Sequence, residues 1–260
     1  MTKFLSLIAL NFFIILNAYS NNISIVSDLD DTLKITNSKN LSEAVRNALL
    51  STKPYGEMPT LVSEMKAYTN ELYVLTASPS LIRNSILNFL AVNQIDYRDL
   101  ITRDFEDLGD KFKYKYDAVN MILKNSGDSL ILIGDDNEVD QNVYAKVASE
   151  KPSKIKAVYI HLVTNRKLLP GVTGYLTSFD IAKAEYKAGR LTLESTLNIG
   201  EKIARTPLKK MKKFFPDFAY CPKNLRAING YNTQLVNLTN TINAKINMYC
   251  RTRVIDEDDD

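Results

Sequence analysis

The chain has 260 residues, 45% of them hydrophobic and 24% charged, with 33 Lys and Arg against 30 Asp and Glu (net charge +3), one His, two Cys and no Trp. That composition belongs to a globular domain with an extension and excludes a disordered or fibrous chain. A single His excludes a two-His metalloprotease motif, a two-His iron site and a Cys/His zinc cluster, which leaves proton transfer and metal ligation to carboxylates, hydroxyls and lysines.

At the N-terminus, Lys3 precedes a nearly continuous apolar run from Leu5 to Leu16, and Ala18-Tyr19-Ser20 places small residues where a signal peptidase reads. The run is short for a bilayer span, so residues 1–20 read as a cleaved secretory signal and the chain is expected to be exported, periplasmic or secreted. In such a compartment Cys221 and Cys250 suit one disulfide closing the C-terminal part. Two unrelated thiols are the alternative.

Ile23–Ser27 is a β-branched run ending at Asp28 and predicts a buried strand. Residues 42–50 have helical spacing, with Leu41, Val45, Leu49 and Leu50 on one side and Pro54 as the stop. A second helix is expected over 60–68, after Pro59, then a strand over 71–75, a polar turn and a helix near 81–92. Residues 116–123 are helical, with Val119, Ile122 and Leu123 on one face. A third strand over 129–133 ends in Gly134, and a fourth spans 156–162. His161 falls in that last strand, where it is assigned a structural role away from the proposed site. Apolar strands alternating with helices predict an α/β fold, a mainly parallel sheet covered on both faces. In such sheets the chemistry lies beyond the carboxyl ends of the strands.

At the first strand end stands Asp28-Leu29-Asp30-Asp31-Thr32, three carboxylates in four residues that need a compensating cation or donors. A hard divalent ion such as Mg²⁺ supplies that compensation with oxygen ligands. The third strand runs into Gly134-Asp135-Asp136-Asn137-Glu138-Val139-Asp140, so two acidic clusters can share one cleft and one metal. The second ends in Thr76-Ala77-Ser78-Pro79, hydroxyls and backbone N–H groups that open a helix and favour a phosphate. Lys111, Lys113 and Lys115 enter the helix before the third strand. Each element alone has a bland reading as a turn, a cap or a solvated face. Their order and spacing make the case.

These elements resemble the haloacid-dehalogenase superfamily of phosphohydrolases, and more closely the catalytic domain of the actin-patch type of phosphatidate phosphatase. The likeness rests on residues 27–34, on Tyr55-Gly-Glu-Met-Pro59, on Thr76-Ala-Ser-Pro79, and on Ile133-Gly-Asp-Asp-Asn-Glu-Val-Asp140 with Tyr144. It covers residues 23–190; the chain then divides into the leader 1–20, a phosphatase domain 21–190 and a helical C-terminal extension 191–260. The resemblance implies a Rossmann-like fold and an aspartyl-phosphate mechanism. Asp28 would be the nucleophile, Asp30 the general acid/base and Thr76 a phosphate donor, with Thr32, Asp136 and Asp140 supporting. Mg²⁺ would be held by Asp28, Asp135 and the main-chain carbonyl of Asp30. Lys115 is the expected third-motif lysine, because Val119 and Ile122 follow at four and seven; Lys111 and Lys113 come second. Ser80 stands where the family has a tryptophan.

Only 43 residues separate Thr32 from Thr76 and 38 separate Thr76 from Lys115, each mostly absorbed by a helix and a strand. Neither interval holds a large cap, which in the family the chain resembles implies an open site for a large or surface-presented substrate, a lipid phosphate first. Residues 202–226 carry eight basic residues against Asp217, with Met and Phe interleaved, a pattern that can attract an anionic membrane surface. A modest net charge and no recognition motif argue against nucleic acid as a partner. The same fold also accommodates a non-catalytic lipid- or phosphate-binding module, which commonly loses the nucleophile or acid/base kept here, or a phosphatase for soluble nucleotide or sugar phosphates.

Overall fold

The computed structural model describes residues 22–104, 109–222, 225 and 232–257. The leader expected over 1–20 lies outside them. Six strands form one parallel sheet: β1 (Ile23–Ser27), β2 (Leu72–Pro79), β3 (Asp99–Arg103), β4 (Ser129–Asp135), β5 (Ile155–His161) and β6 (Thr173–Tyr175). Their order across the sheet is β3-β2-β1-β4-β5-β6. That doubly wound order reverses between β1 and β4, and the crevice at such a reversal is where ligands bind.

Side chains on successive strand residues point to opposite faces, which splits the apolar residues into two cores. Ile25, Ile131, Ile133 and Tyr159 pack on one face, Val26, Leu130, Leu132, Val158 and Ile160 on the other. The second face is covered by α4 (Lys111–Ser126) and α5 (Asp140–Glu150). The first is covered by α2 (Met58–Met65), α3 (Arg83–Val92), α6 (Ser178–Lys187), α7 (Leu193–Arg205) and α8 (Thr233–Glu257). The remaining helix, α1 (Leu41–Leu50), leaves the connection between β1 and α2 and is capped by Asn40, whose side chain accepts the Ser42 and Glu43 N–H groups. Among the described residues no helix is long and apolar enough to cross a membrane.

The C-terminal helices share the core of the sheet: Ile199, Ile203, Leu235, Ile242 and Ile246 pack in the same cluster as Ile25 and Leu29. One buried carboxylate ties this half to the sheet. Glu185 of α6 accepts from Tyr68 at 2.8 Å, from Tyr159 on β5, and from Arg190 at 2.7 and 2.6 Å through two nitrogens. A buried carboxylate needs these partners; taking away the Arg190 guanidinium costs about 3–5 kcal/mol. Cys221 and Cys250 form a disulfide that closes a loop of 29 residues and holds α8 to the segment before it. Opening it should lower stability by about 3 kcal/mol, read as an earlier unfolding midpoint in denaturant for Cys221→Ser/Cys250→Ser. An unchanged midpoint would show that the cross-link contributes nothing.

The motif Tyr55-Gly-Glu-Met-Pro59 serves this packing. Gly56 is a close approach: a Cβ there would lie 2.1 Å from the Phe214 ring. Glu57 takes φ 62° at the entry of α2 and pairs with Lys213 at 2.9 Å. The basic stretch is arranged differently from the membrane-attracting pattern expected of it. Met211, Phe214 and Phe215 are buried in the core, while Lys209, Lys210 and Lys212 stay at the surface.

Candidate active site

β1 and β4 are adjacent and in register from Ile23 with Ser129 to Ser27 with Ile133, and the Asp28 N–H continues the ladder to the Ile133 carbonyl at 2.8 Å. The two acidic strand ends therefore meet at the point where strand order reverses. Gly134 makes room there. A Cβ at that position would lie 2.7 Å from the Asp140 Cβ, so glycine lets the first turn of α5 close against β4. One carboxylate oxygen from each of Asp28, Asp135 and Asp140 falls within 4.8 Å of the others, all three residues buried.

Lys115 is the cation facing this cluster. Asp110 caps α4 by accepting from the Phe112 and Lys113 N–H groups, and the helix ends at Gly127 in the left-handed conformation. This frame puts Lys115 on the buried face with Val119 and Ile122, four and seven residues on. Its Nζ donates to Asp28 Oδ1 at 2.6 Å and to Asp140. Lys113 is exposed and pairs with Asp117, whereas Lys111 reaches the cleft rim and pairs with Glu138 at 2.5 Å.

Burial pushes the Asp28 carboxyl well above the usual range; Lys115 opposes this and Asp140 adds to it. Burial does the same to Asp135, reinforced by Asp140 and Asp28. For Lys115, burial disfavours the ammonium, but Asp140 and Asp28 outweigh it, so the lysine stays charged well above its ordinary range. Three carboxylates against one ammonium leave about two negative charges, a match for one divalent cation, and an all-oxygen donor set suits a hard one.

Asp30, two residues on, points to a different partner set. Its Oδ2 accepts from Thr76 Oγ1 at 3.0 Å and Ser78 Oγ at 2.8 Å, and the Ser78 N–H donates to Thr76 Oγ1. Burial raises its pKa, with the Ser78 hydrogen bond pulling the other way. The Asp30 carboxylate is thus separate from the three-carboxylate group, in which Asp140 stands beside Asp28 and Asp135. A cavity of about 410 Å³ opens over these residues, lined by Asp28, Asp30, Lys115, Asp135, Ser78 and Arg103 among others.

Two acids of the motifs turn away from the cleft. Asp31, at φ 57°, accepts the N–H groups of Thr36, Asn37 and Ser38 and so shapes the loop leading to α1. Asp136 accepts those of Val163, Thr164 and Arg166 and fixes the turn after β5. The Thr32 hydroxyl is buried and does not enter the cleft lining.

His161 is nearer the site than its place in the sequence suggests. It sits level with Asp135 across β4 and β5, its Nδ1 lies 2.8 Å from the Asp31 carbonyl, and its ring stacks on Tyr175 with Tyr55 edge-on at 4.6 Å. Burial lowers its pKa, which keeps the ring neutral against the strand-end loop. Sequence reasoning separated it from the catalytic residues because the pairing of β4 with β5 is not written in either strand. Arg103, buried at the end of β3 and lining the cavity, stands in no motif of the sequence, and the Ser78 hydroxyl, expected with its neighbours to favour a phosphate, donates to Asp30.

A parallel doubly wound sheet with carboxylates and one buried lysine gathered at its switch point is the framework of a phosphoric monoester hydrolase of the α/β class. The chain belongs to the family described as phosphatidate phosphatase APP1, catalytic domain, whose model matches residues 23–162. No curated protein matches the chain. Among solved structures, a chain of the Pnkp1/Rnl/Hen1 complex is similar at 20% identity and TM-score 0.36, over 52% of this chain and 44% of that one. A chain of the Pnkp1/Rnl/Hen1 RNA repair complex is similar at 17% identity and TM-score 0.30, over 54% and 35%. This chain thus spans less than half the length of either.

Proposed function

We propose that the protein is an exported, Mg²⁺-dependent phosphatidate phosphatase that works through a phosphorylated Asp28. The observation that carries this reading is the placement of Asp28: at a strand end on the floor of the cavity, 2.6 Å from Lys115 and in one cluster with Asp135 and Asp140. In the first step an Asp28 oxygen attacks the phosphorus as the bond to the glycerol oxygen breaks, and the leaving oxygen takes a proton from Asp30. In the second, Asp30 accepts a proton from water, which attacks the phosphorus and releases inorganic phosphate with Asp28 restored. Splitting the displacement this way is what covalent catalysis offers.

Thr76 and Ser78 hold the Asp30 carboxyl in place for both transfers, and its raised pKa favours the protonated form the first step needs. Lys115 keeps Asp28 oriented and offsets charge on the phosphoryl oxygens. Asp28, Asp135 and the Asp30 carbonyl would hold Mg²⁺, with Asp140 beside them; bound there, the ion stabilises charge on the transferring phosphoryl group. The disulfide between Cys221 and Cys250 supports an oxidising compartment, and the leader pattern over residues 1–20 supports export.

The test is phosphate release from a substrate panel: phosphatidate in mixed micelles, a mononucleotide, a sugar phosphate and a generic aryl phosphate, each with Mg²⁺ and with chelator. Phosphatidate should turn over fastest and only with the metal. Faster hydrolysis of the soluble monophosphates would overturn the lipid assignment, and full activity in chelator would overturn the metal.

A further inference from the structure

The large apolar side chains left exposed include four on α1, on α3 and on the turn that joins Pro79 to α3. Leu50 is 78% exposed and Leu49 45%, at the end of α1; Leu81 is 77% exposed, in the short turn Ser80–Ile82 before α3; Val92 is 58% exposed, at the end of α3. The two helices lie side by side. At one end Ala44 of α1 and Pro79 line the same cavity, and at the other Asn93 Nδ2 donates to the Thr52 carbonyl at 3.0 Å. A strip therefore runs from Leu81, two residues beyond the cavity-lining Pro79, along the seam, to Leu49, Leu50 and Val92. α3 is ten residues long, which makes the strip about 15 Å.

Charge along the strip is sparse and of one sign. Over residues 41–53 and 80–92 the exposed charged side chains are Arg46 and Lys53, both basic; Glu43 is half-buried and accepts from Asn37, and Arg83 donates inward to the Leu100 carbonyl. The rest of the exposed face of α3 is Asn84, Asn88 and Ala91. Leucines flanked by neutral and basic groups suit the boundary between anionic headgroups and acyl chains.

We propose that the α1–α3 strip is the surface by which this protein sits on an anionic bilayer that carries its substrate. The inference rests on the phosphatidate reading. A diacyl lipid presents its phosphate at the bilayer surface while its tails stay in the hydrocarbon, so the rim that meets the membrane must be the rim of the cavity holding Asp28. Ala44, Ala77, Ser78 and Pro79 form part of that rim, and the exposed leucines continue it outward. The basic stretch near Lys209 offers less apolar surface, because Met211, Phe214 and Phe215 are spent in the core.

The test compares the parent with Leu50→Ser/Leu81→Ser and with Lys209→Ser/Lys210→Ser. Each is sedimented with vesicles of phosphatidylcholine containing phosphatidate, and assayed on those vesicles and on a dispersed short-chain phosphatidate. The leucine variant should lose about tenfold or more in vesicle partitioning and in vesicle turnover. It should keep its activity on the dispersed lipid and the parent's unfolding temperature, and the lysine variant should partition as the parent does. Unchanged partitioning of the leucine variant, or loss confined to the lysine variant, would overturn the proposal. So would a dimer of the parent dispersed by the leucine substitutions, which would assign the strip to a second copy. If the parent binds vesicles through the leucines but hydrolyses neither phosphatidate, the substrate reading fails and the surface stands.

Discussion

Replacing Asp28 with Asn should reduce phosphate release by roughly 10⁴-fold or more at saturating substrate, because the amide cannot form the acyl phosphate on which both steps depend. The fold should survive. Asp28 lies among like charges that burial already penalises, and Asn keeps an oxygen that can accept from Lys115, so in chelator the variant should unfold no earlier than the parent. Stabilisation by added Mg²⁺ should shrink, since one ligand of the cluster is lost. Paired measurements of phosphate release and of thermal unfolding with and without Mg²⁺ check all three expectations. A variant as active as the parent would remove Asp28 from the mechanism. An inactive variant whose metal response is unchanged would keep the nucleophile but take Asp28 out of the metal site.

Lys115→Met should have the largest effect on stability. Met fills much of the volume without the ammonium, leaving Asp28, Asp135 and Asp140 buried together without the cation that contacts two of them. Stripping the charge partner from a buried cluster costs about 3–5 kcal/mol, which should appear in chelator as a marked drop in the denaturant midpoint. Mg²⁺ should return part of that loss, because a divalent ion in the cluster replaces some of the missing charge. Activity should stay low even when the fold is restored by metal, since the ammonium that offsets charge on the phosphoryl oxygens is gone. A Lys115→Met protein as stable as the parent in chelator would show that the carboxylates are neutral there and need no ammonium. Lys113→Met, on the exposed side of α4, should change little and serves as the control.

Much of the site was legible because strand ends announce themselves. An apolar run that stops at an acid, as at Asp28 and Asp135, places that acid at the rim of a parallel sheet, and helical spacing alone singled out Lys115 from its neighbours. What could not be read was what each acid faces. Asp31 and Asp136 look like Asp28 and Asp135 in the sequence, yet their partners are backbone N–H groups of loops at 36–38 and 163–166, chosen by tertiary structure. Asp140 is expected only as a supporting acid, and its direct pairing with Lys115 depends on the close approach at Gly134. The strands at the sheet edges were also obscure. β3 alternates too little in Asp-Leu-Ile-Thr-Arg to mark a period and was anticipated only as one further strand, while β6 has three residues with Gly174 at its centre. Leu49 and Leu50 fit a helical stripe equally well whether a protein core or nothing within the chain covers it.

The carboxylate of Glu185 bears on where the folding unit stops. It lies beyond residues 23–162 that the family model matches, yet it draws the hydroxyls of Tyr68, in the turn after α2, and of Tyr159 on β5, with the guanidinium of Arg190, into one knot. A chain cut back to the matched residues would leave Tyr68 and Tyr159 facing an empty slot, and β5 would become an open edge available to another strand. The segment through Arg190 would therefore have to travel with the catalytic motifs whenever this domain was copied, fused or transplanted.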